Sequence, residues 1–355
     1  MPGGVLETMK AYIMDDNRKM VVRDMPEPIA TENNAIIDVR YASICGTDFR
    51  TFMKGNEKIT PPRILGHESV GIVRHAGALA KANGIEVGDR VTVAPAIGCG
   101  ECWPCKTGHT NMCDHLQTIG FQYEGAFAEK MEIPKQAIRM GNVLKVPEKV
   151  SDMSAALSEP AACALNAQQY LKIQPEDYVV IYGSGYIGCI HAELARLAGA
   201  KKIIMVEIAQ VRAEIAKKMI PGIIMINPKE QNTVDEVRKI TEGRGANVVI
   251  TALSVPSVHT EAQIIASKMG RISLFGGIAG DGKGYIDSNL IHYKELSVYG
   301  VHATTARLMT QIMNYVADGV LNLEKYVSEV CKLENIQDGF VSIRDNNALK
   351  VLIEP

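Results

Sequence analysis

The sequence predicts an α/β chain in two parts, a small β-rich barrel or sandwich and then a doubly wound parallel sheet. Three observations carry that expectation. At 355 residues the chain exceeds what one hydrophobic core usually supports. Up to about residue 150, short β-branched and aliphatic runs are separated by turn signals. Beyond that point strand runs alternate with helical patterns, which calls for right-handed βαβ crossovers and a parallel sheet.

Taken in order, residues 1–4 (Met-Pro-Gly-Gly) read as a weakly ordered leader, with the first strand starting near Met9. Strands are expected over 9–14, 35–41, 69–73 and 90–93, with turns at Gly84, Gly88-Asp89 and Gly98. Residues 125–133 continue the theme with partial alternation. The Ala-rich segment 154–170 is helical by propensity. Strand expectations then fall at 177–182, 202–206, 222–226, 246–252, 271–275 and 295–299. The intervening helices are expected at 190–197, 211–219, 233–241, 260–267 and 305–318. The tail, 330–343 and 348–353, returns to the texture of the first part.

A net charge of −2 gives no reason to expect nucleic acid or an anionic membrane as partner. No apolar run reaches the roughly 18 residues of a membrane helix. The absence of a basic-then-apolar leader makes the cytoplasm the expected compartment. Eight cysteines in such a chain point to metal or catalysis rather than disulfides.

The sharpest motif is Cys99-x2-Cys102-x2-Cys105-x7-Cys113. Four thiolates close a tetrahedral zinc site with no open position, so the lobe at about 95–115 is expected to hold a structural ion. A second motif, Gly183-Ser184-Gly185-Tyr186-Ile187-Gly188, follows a strand and opens a helix. Gly183 permits the tight turn, Gly185 admits a pyrophosphate and Gly188 allows close helix–strand packing. Glu207 stands 19 residues after Gly188, where a carboxylate can bind both ribose hydroxyls and repel a 2′-phosphate. NAD is therefore expected over NADP, with Arg212 close enough to meet adenine or a phosphate. Finally, Cys45-Gly46-Thr47-Asp48 and Gly66-His67-Glu68 offer a thiol, an imidazole and carboxylates, a donor set suited to zinc. Ser158-Glu159-Pro160 adds a carboxylate at the junction between the two textures.

In order and spacing these five motifs resemble the zinc-dependent medium-chain alcohol dehydrogenases over essentially the whole chain. The resemblance implies a GroES-like catalytic domain, 1–156 with 304–355, and an inserted Rossmann NAD-binding domain, 157–303. It implies a second, catalytic zinc approached by Cys45, His67 and Glu159. The glutamate at 159 resembles the polyol (sorbitol-type) and threonine dehydrogenase branch. There Glu68 can bind directly while Glu159 holds the zinc water, so the ranking of the two stays open. Thr47 then relays the alcohol proton and Asp48 orients His67. Relatives of this kind imply a homo-oligomer, dimer or tetramer. One departure stands out: Arg50 occupies the position where many relatives complete the relay with a histidine, and a guanidinium cannot shuttle protons near neutral pH.

The expected activity is oxidation of a secondary alcohol, a polyol or sugar alcohol with or without phosphate, to its ketone. Zinc would acidify the alcohol and NAD would take the hydride. A threonine 3-dehydrogenase-like activity on a β-hydroxy amino acid is the rival within enzymes. A nucleotide-sensing protein that has lost catalysis is the rival outside them, disfavoured by an intact set of Cys45, His67, Glu68 and Glu159.

Overall fold

The computed structural model describes residues 7–278 and 283–355. The expected leader, residues 1–4, lies outside them. The chain divides into two compact units, one running to Ala162 and resuming over Ala303–Pro355, the other Cys163–His302.

The first unit is built on a seven-stranded sheet. Its order is Val143–Lys145, Arg90–Val93, Glu68–Ala76, Ala35–Ser43, Lys350–Glu354 and Val327–Lys332, with Lys130–Ile133 also paired to Ala35–Ser43. Two pairings matter for function. Ser43 lies opposite Glu68 across an antiparallel ladder, and Leu352 of the last strand lies opposite Ser43. The strand Lys350–Glu354 therefore sits beside residues 42–44. Three-stranded and two-stranded sheets complete the unit, the latter joining Ala96–Ile97 to Gln117–Thr118. Tyr12, Phe127, Phe340 and the aliphatic inner faces fill one continuous core.

A helix over Gly46–Lys54, not among the elements expected from the pattern, follows the strand that ends at Ser43. Cys45 is its N-cap. The Cys45 sulfur accepts from Thr47 N–H, while Asp48 accepts from the Cys45 N–H at 3.0 Å. This is a capping box with a thiol in place of the usual hydroxyl. The expected helix at 154–170 is two helices, Asp152–Ala156 and Ser158–Leu171. The first starts where Ser151 accepts from Ser154 N–H.

The second unit carries a six-stranded sheet in the order Ile224–Ile226, Lys202–Val206, Tyr178–Tyr182, Ala246–Thr251, Ala266–Leu274 and Ser297–Gly300. Every pairing is parallel. Numbered within the unit this is 3-2-1-4-5-6, the doubly wound order whose ligand crevice opens at the carboxyl end of the first strand. The helix after Ala246–Thr251 begins at Pro256, earlier than the periodicity suggests, because proline suits a first helical turn.

Candidate metal centre and dinucleotide turn

Cys45, His67 and Glu68 come together from two segments of the first unit. Their ligand atoms all lie within 4.8 Å of one another. Local sequence explains the aim of each. Cys45 is fixed by the capping box. Gly66 has a φ of +92°, and a Cβ there would meet the Phe127 ring at 2.8 Å, so only glycine lets the chain turn so that His67 and Glu68 follow in this direction. The His67 ring is buried, 3.5 Å from Asp48 Oδ1 through Nδ1, with the Phe121 ring edge-on at 6.0 Å. Burial alone would lower the His67 pKa, but the charges of Asp48 and Cys45 outweigh it and hold it well above the usual value.

Glu68 is fully buried. Its Oε2 accepts from the Ser43 hydroxyl and from the Lys350 ammonium, the latter at 2.5 Å. Its Oε1 is buried with no hydrogen-bond partner among the described residues. An unpaired buried carboxylate oxygen beside a thiol and an imidazole is what a divalent cation would satisfy, so the residues fit a zinc ion. Glu159 is also buried, in the first turn of Ser158–Leu171, but lies outside the three-residue cluster. Its charge is felt at Lys350.

Lys350 and Ser43 are the residues that sequence reasoning missed. Lys350 is buried, and its ammonium also donates to the Ile44 carbonyl at 3.0 Å. Burial opposes the charge, but Glu68, Cys45 and Glu159 more than compensate and raise its pKa. The available signal was a lone lysine inside Ala348-Leu349-Lys350-Val351-Leu352-Ile353, since a buried lysine needs a carboxylate. Thr47 and Arg50 lie together on the Gly46–Lys54 helix, Arg50 Nη2 donating to Thr47 Oγ1 at 2.9 Å.

The four lobe cysteines also converge, their sulfurs within 4.8 Å of one another. Backbone N–H groups of Cys99 and His115 donate to Cys113 Sγ at 3.1 and 3.2 Å. Those of Glu101 and Cys102 donate to Cys99 Sγ at 3.4 Å. These bonds push the Cys99 thiol down to about 6, whereas burial pushes Cys113 up to about 12. N–H donors aimed at sulfur favour thiolates, so this donor set fits a closed zinc site.

In the second unit the glycine turn joins Tyr178–Tyr182 to the helix Tyr186–Leu197. A Cβ on Gly188 would meet the Gly183 carbonyl oxygen at 2.0 Å, whereas one on Gly185 would meet nothing within 4 Å. The open side at Gly185, over a helix N-terminus, fits a pyrophosphate. Tyr186 and Ile187 form the first residues of that helix. Glu207 follows Lys202–Val206, and both its oxygens are engaged. Oε2 accepts from Ser184 N and Oγ at 2.8 and 3.1 Å, and Oε1 from Ile208 N and Ala209 N at 2.9 Å. Arg212 lies in the helix Gln210–Met219, within reach of the Glu207 charge.

Fold and site together define a zinc-binding dehydrogenase with a dinucleotide unit, and comparison with known proteins agrees. Residues 31–148 match the alcohol dehydrogenase GroES-like domain and residues 187–318 the zinc-binding dehydrogenase domain. L-threonine 3-dehydrogenase of Pyrococcus abyssi is 32% identical over 98% of this chain and 97% of its own. Sorbitol dehydrogenase of Bacillus subtilis is 29% identical over 99% and 98%. A structure from Sinorhizobium meliloti 1021, described as a zinc-binding dehydrogenase bound to NADP, superposes with a TM-score of 0.90 at 28% identity, covering 98% of this chain and all of that one. The chain belongs to the zinc-type medium-chain alcohol dehydrogenases, in their polyol and threonine branch.

Proposed function

We propose that the chain oxidises a secondary alcohol, a polyol or sugar alcohol with or without phosphate, to its ketone, using two zinc ions and NAD. The observation that carries this reading is the cluster of half-buried Cys45 with buried His67 and Glu68, one carboxylate oxygen of Glu68 being unpaired. Those three residues would hold the catalytic zinc, with Glu159 as the further carboxylate of this reading, and Cys99, Cys102, Cys105 and Cys113 would hold the structural ion. Bound zinc would supply Lewis acidity that makes an alcohol proton easier to remove, and bound NAD would supply the hydride acceptor.

The chain's own residues do the rest. Asp48 Oδ1 faces His67 Nδ1 at 3.5 Å, so Nε2 would be the nitrogen left to meet the metal. Thr47 Oγ1 already accepts from Arg50, so its own hydrogen is the one left to hand on. Arg50 cannot take that proton, and water outside the site is the acceptor. Gly183, Gly185 and Gly188 shape the turn that receives the pyrophosphate at the helix N-terminus. With both oxygens already accepting from Ser184, Ile208 and Ala209, Glu207 favours NAD by fixing a negative charge and the turn at the strand end rather than by ribose bonds. The domains of this reading are 1–156 with 304–355 for catalysis and 157–303 for the dinucleotide.

A β-hydroxy amino acid is the second reading, supported by the 32% identity to a threonine dehydrogenase. The test is reduction of NAD and NADP across polyols, sugar phosphates, threonine and simple alcohols, with zinc content measured on the same sample. A preference for threonine selects the second reading. Two zinc ions with no turnover of any of these compounds would overturn the proposed substrate class.

A further inference from the structure

Glu68 is held by two groups that no sequence motif announces. Ser43 lies opposite it on the neighbouring strand, and Lys350 arrives from the C-terminal strand, 282 residues away in sequence. Both bind the same oxygen, Oε2, and the other oxygen is left unpaired. Lys350 also donates to the Ile44 carbonyl, the peptide that precedes Cys45. One ammonium therefore ties together the side chain of one member of the cluster and the backbone of another. All of these groups are buried or nearly so, hence their positions are set by packing rather than by solvent.

From this arrangement we propose that Lys350, with Ser43, is a positioning residue for the metal centre: it restrains Glu68 to offer one oxygen to the ion and keeps Cys45 and Glu68 in register. The proposal rests on the metal reading given above. Its physical content is that a carboxylate with one oxygen bonded to an ammonium and a hydroxyl cannot turn both oxygens to a cation without breaking those bonds. Freed of Lys350, Glu68 can rotate and take two positions on the metal, one of which an open site reserves for water or substrate. Lys350 also balances charge. A zinc ion with one thiolate and the buried carboxylates of Glu68 and Glu159 is left with excess negative charge, which a buried ammonium offsets.

The experiment uses the full chain loaded with zinc, and compares wild type with Lys350→Met and Ser43→Ala. Zinc retained per chain is measured against increasing chelator, with the four-cysteine ion as an internal check that the first unit is folded. The exchangeable ion is then replaced by cobalt(II), whose visible absorption is intense in a four-coordinate site and weak in higher coordination. In Lys350→Met the open site should release zinc at roughly 10- to 100-fold lower chelator concentration. Its cobalt bands should weaken, and Ser43→Ala should change both readouts in the same direction but less. Should Lys350→Met lose both ions, Ser43→Ala decides the matter. Two ions in wild type, with zinc retention and cobalt spectrum unchanged in the folded variants, would overturn the role of Lys350 alone. A wild-type chain that holds only the four-cysteine ion would overturn the metal reading and this inference with it.

Discussion

Asp48 performs two tasks with one buried carboxylate, and the two can be separated. Its Oδ2 accepts from the Cys45 N–H at 3.0 Å, closing the capping box, while its Oδ1 lies 3.5 Å from His67 Nδ1. Asp48→Ala removes both, and Asp48→Asn keeps an oxygen for the cap but loses the charge beside the imidazole. A lost cap costs about 1 kcal/mol, and removing the charged partner of a buried group about 1.5–3 kcal/mol. Asp48→Ala should therefore destabilise the metal-free chain by roughly 2.5–4 kcal/mol, a large part of a domain's ~5–15 kcal/mol. Asp48→Asn should retain the cap's share of about 1 kcal/mol. For the metal the order differs: both variants should weaken zinc at the open site by roughly 10- to 100-fold, because both lose the carboxylate that orients His67. Urea unfolding of the metal-free chain reads the first effect, and competition with a chromophoric chelator reads the second. If Asp48→Asn binds zinc as tightly as wild type while Asp48→Ala is destabilised, Asp48 is a helix cap and has no part in the metal centre.

Three further outcomes are expected. Glu207→Gln removes the charge at the strand end and replaces one acceptor oxygen by an amide nitrogen that cannot accept, so the KM for NADP should fall roughly tenfold relative to that for NAD, about 1.4 kcal/mol; equal effects on both dinucleotides would deny Glu207 a role in selection. Arg50 is exposed and carries four N–H groups beyond the one bonded to Thr47, a fork that suits a carboxylate or phosphate. Arg50→Gln should raise the KM of an anionic substrate roughly tenfold, about 1.4 kcal/mol, and barely alter a neutral polyol; identical kinetics for both remove it from substrate recognition. His191 is wholly buried and burial pushes its pKa down to about 3, below the ~6.5 of an unfolded histidine. Its contribution is fully present above pH ~6.5 and lost as pH falls toward about 3, by roughly 1.4 kcal/mol per unit, so His191→Leu should flatten the decline in melting temperature between about pH 7 and pH 5, and a slope equal to wild type would assign that decline to other groups.

What the sequence discloses about this protein depends on how local the cause is. The cysteine lobe and the glycine turn are legible because their spacing is itself the geometry: the four lobe sulfurs are brought together by one short loop, and Gly188 packs on Gly183 five residues earlier. Strands such as Arg90–Val93 and Lys202–Val206 fall where the apolar runs place them. The helix over Gly46–Lys54 is harder to see because its nine residues bury only Asp48 and Thr51. Its start is written in Cys45-x-x-Asp48, a capping pattern hidden by the exchange of hydroxyl for thiol. The choice between Glu68 and Glu159 has no local answer, since both are glutamates beside plausible turns and only packing puts Glu68 within 4.8 Å of Cys45 and His67. Lys350 is the limiting case, invisible until the last strand is laid beside Ala35–Ser43. The donors are encoded in short motifs, but the restraint on them is encoded at the far end of the chain. Replacing Lys350 alone, with the strand kept, should therefore loosen the open site while leaving the four-cysteine ion in place.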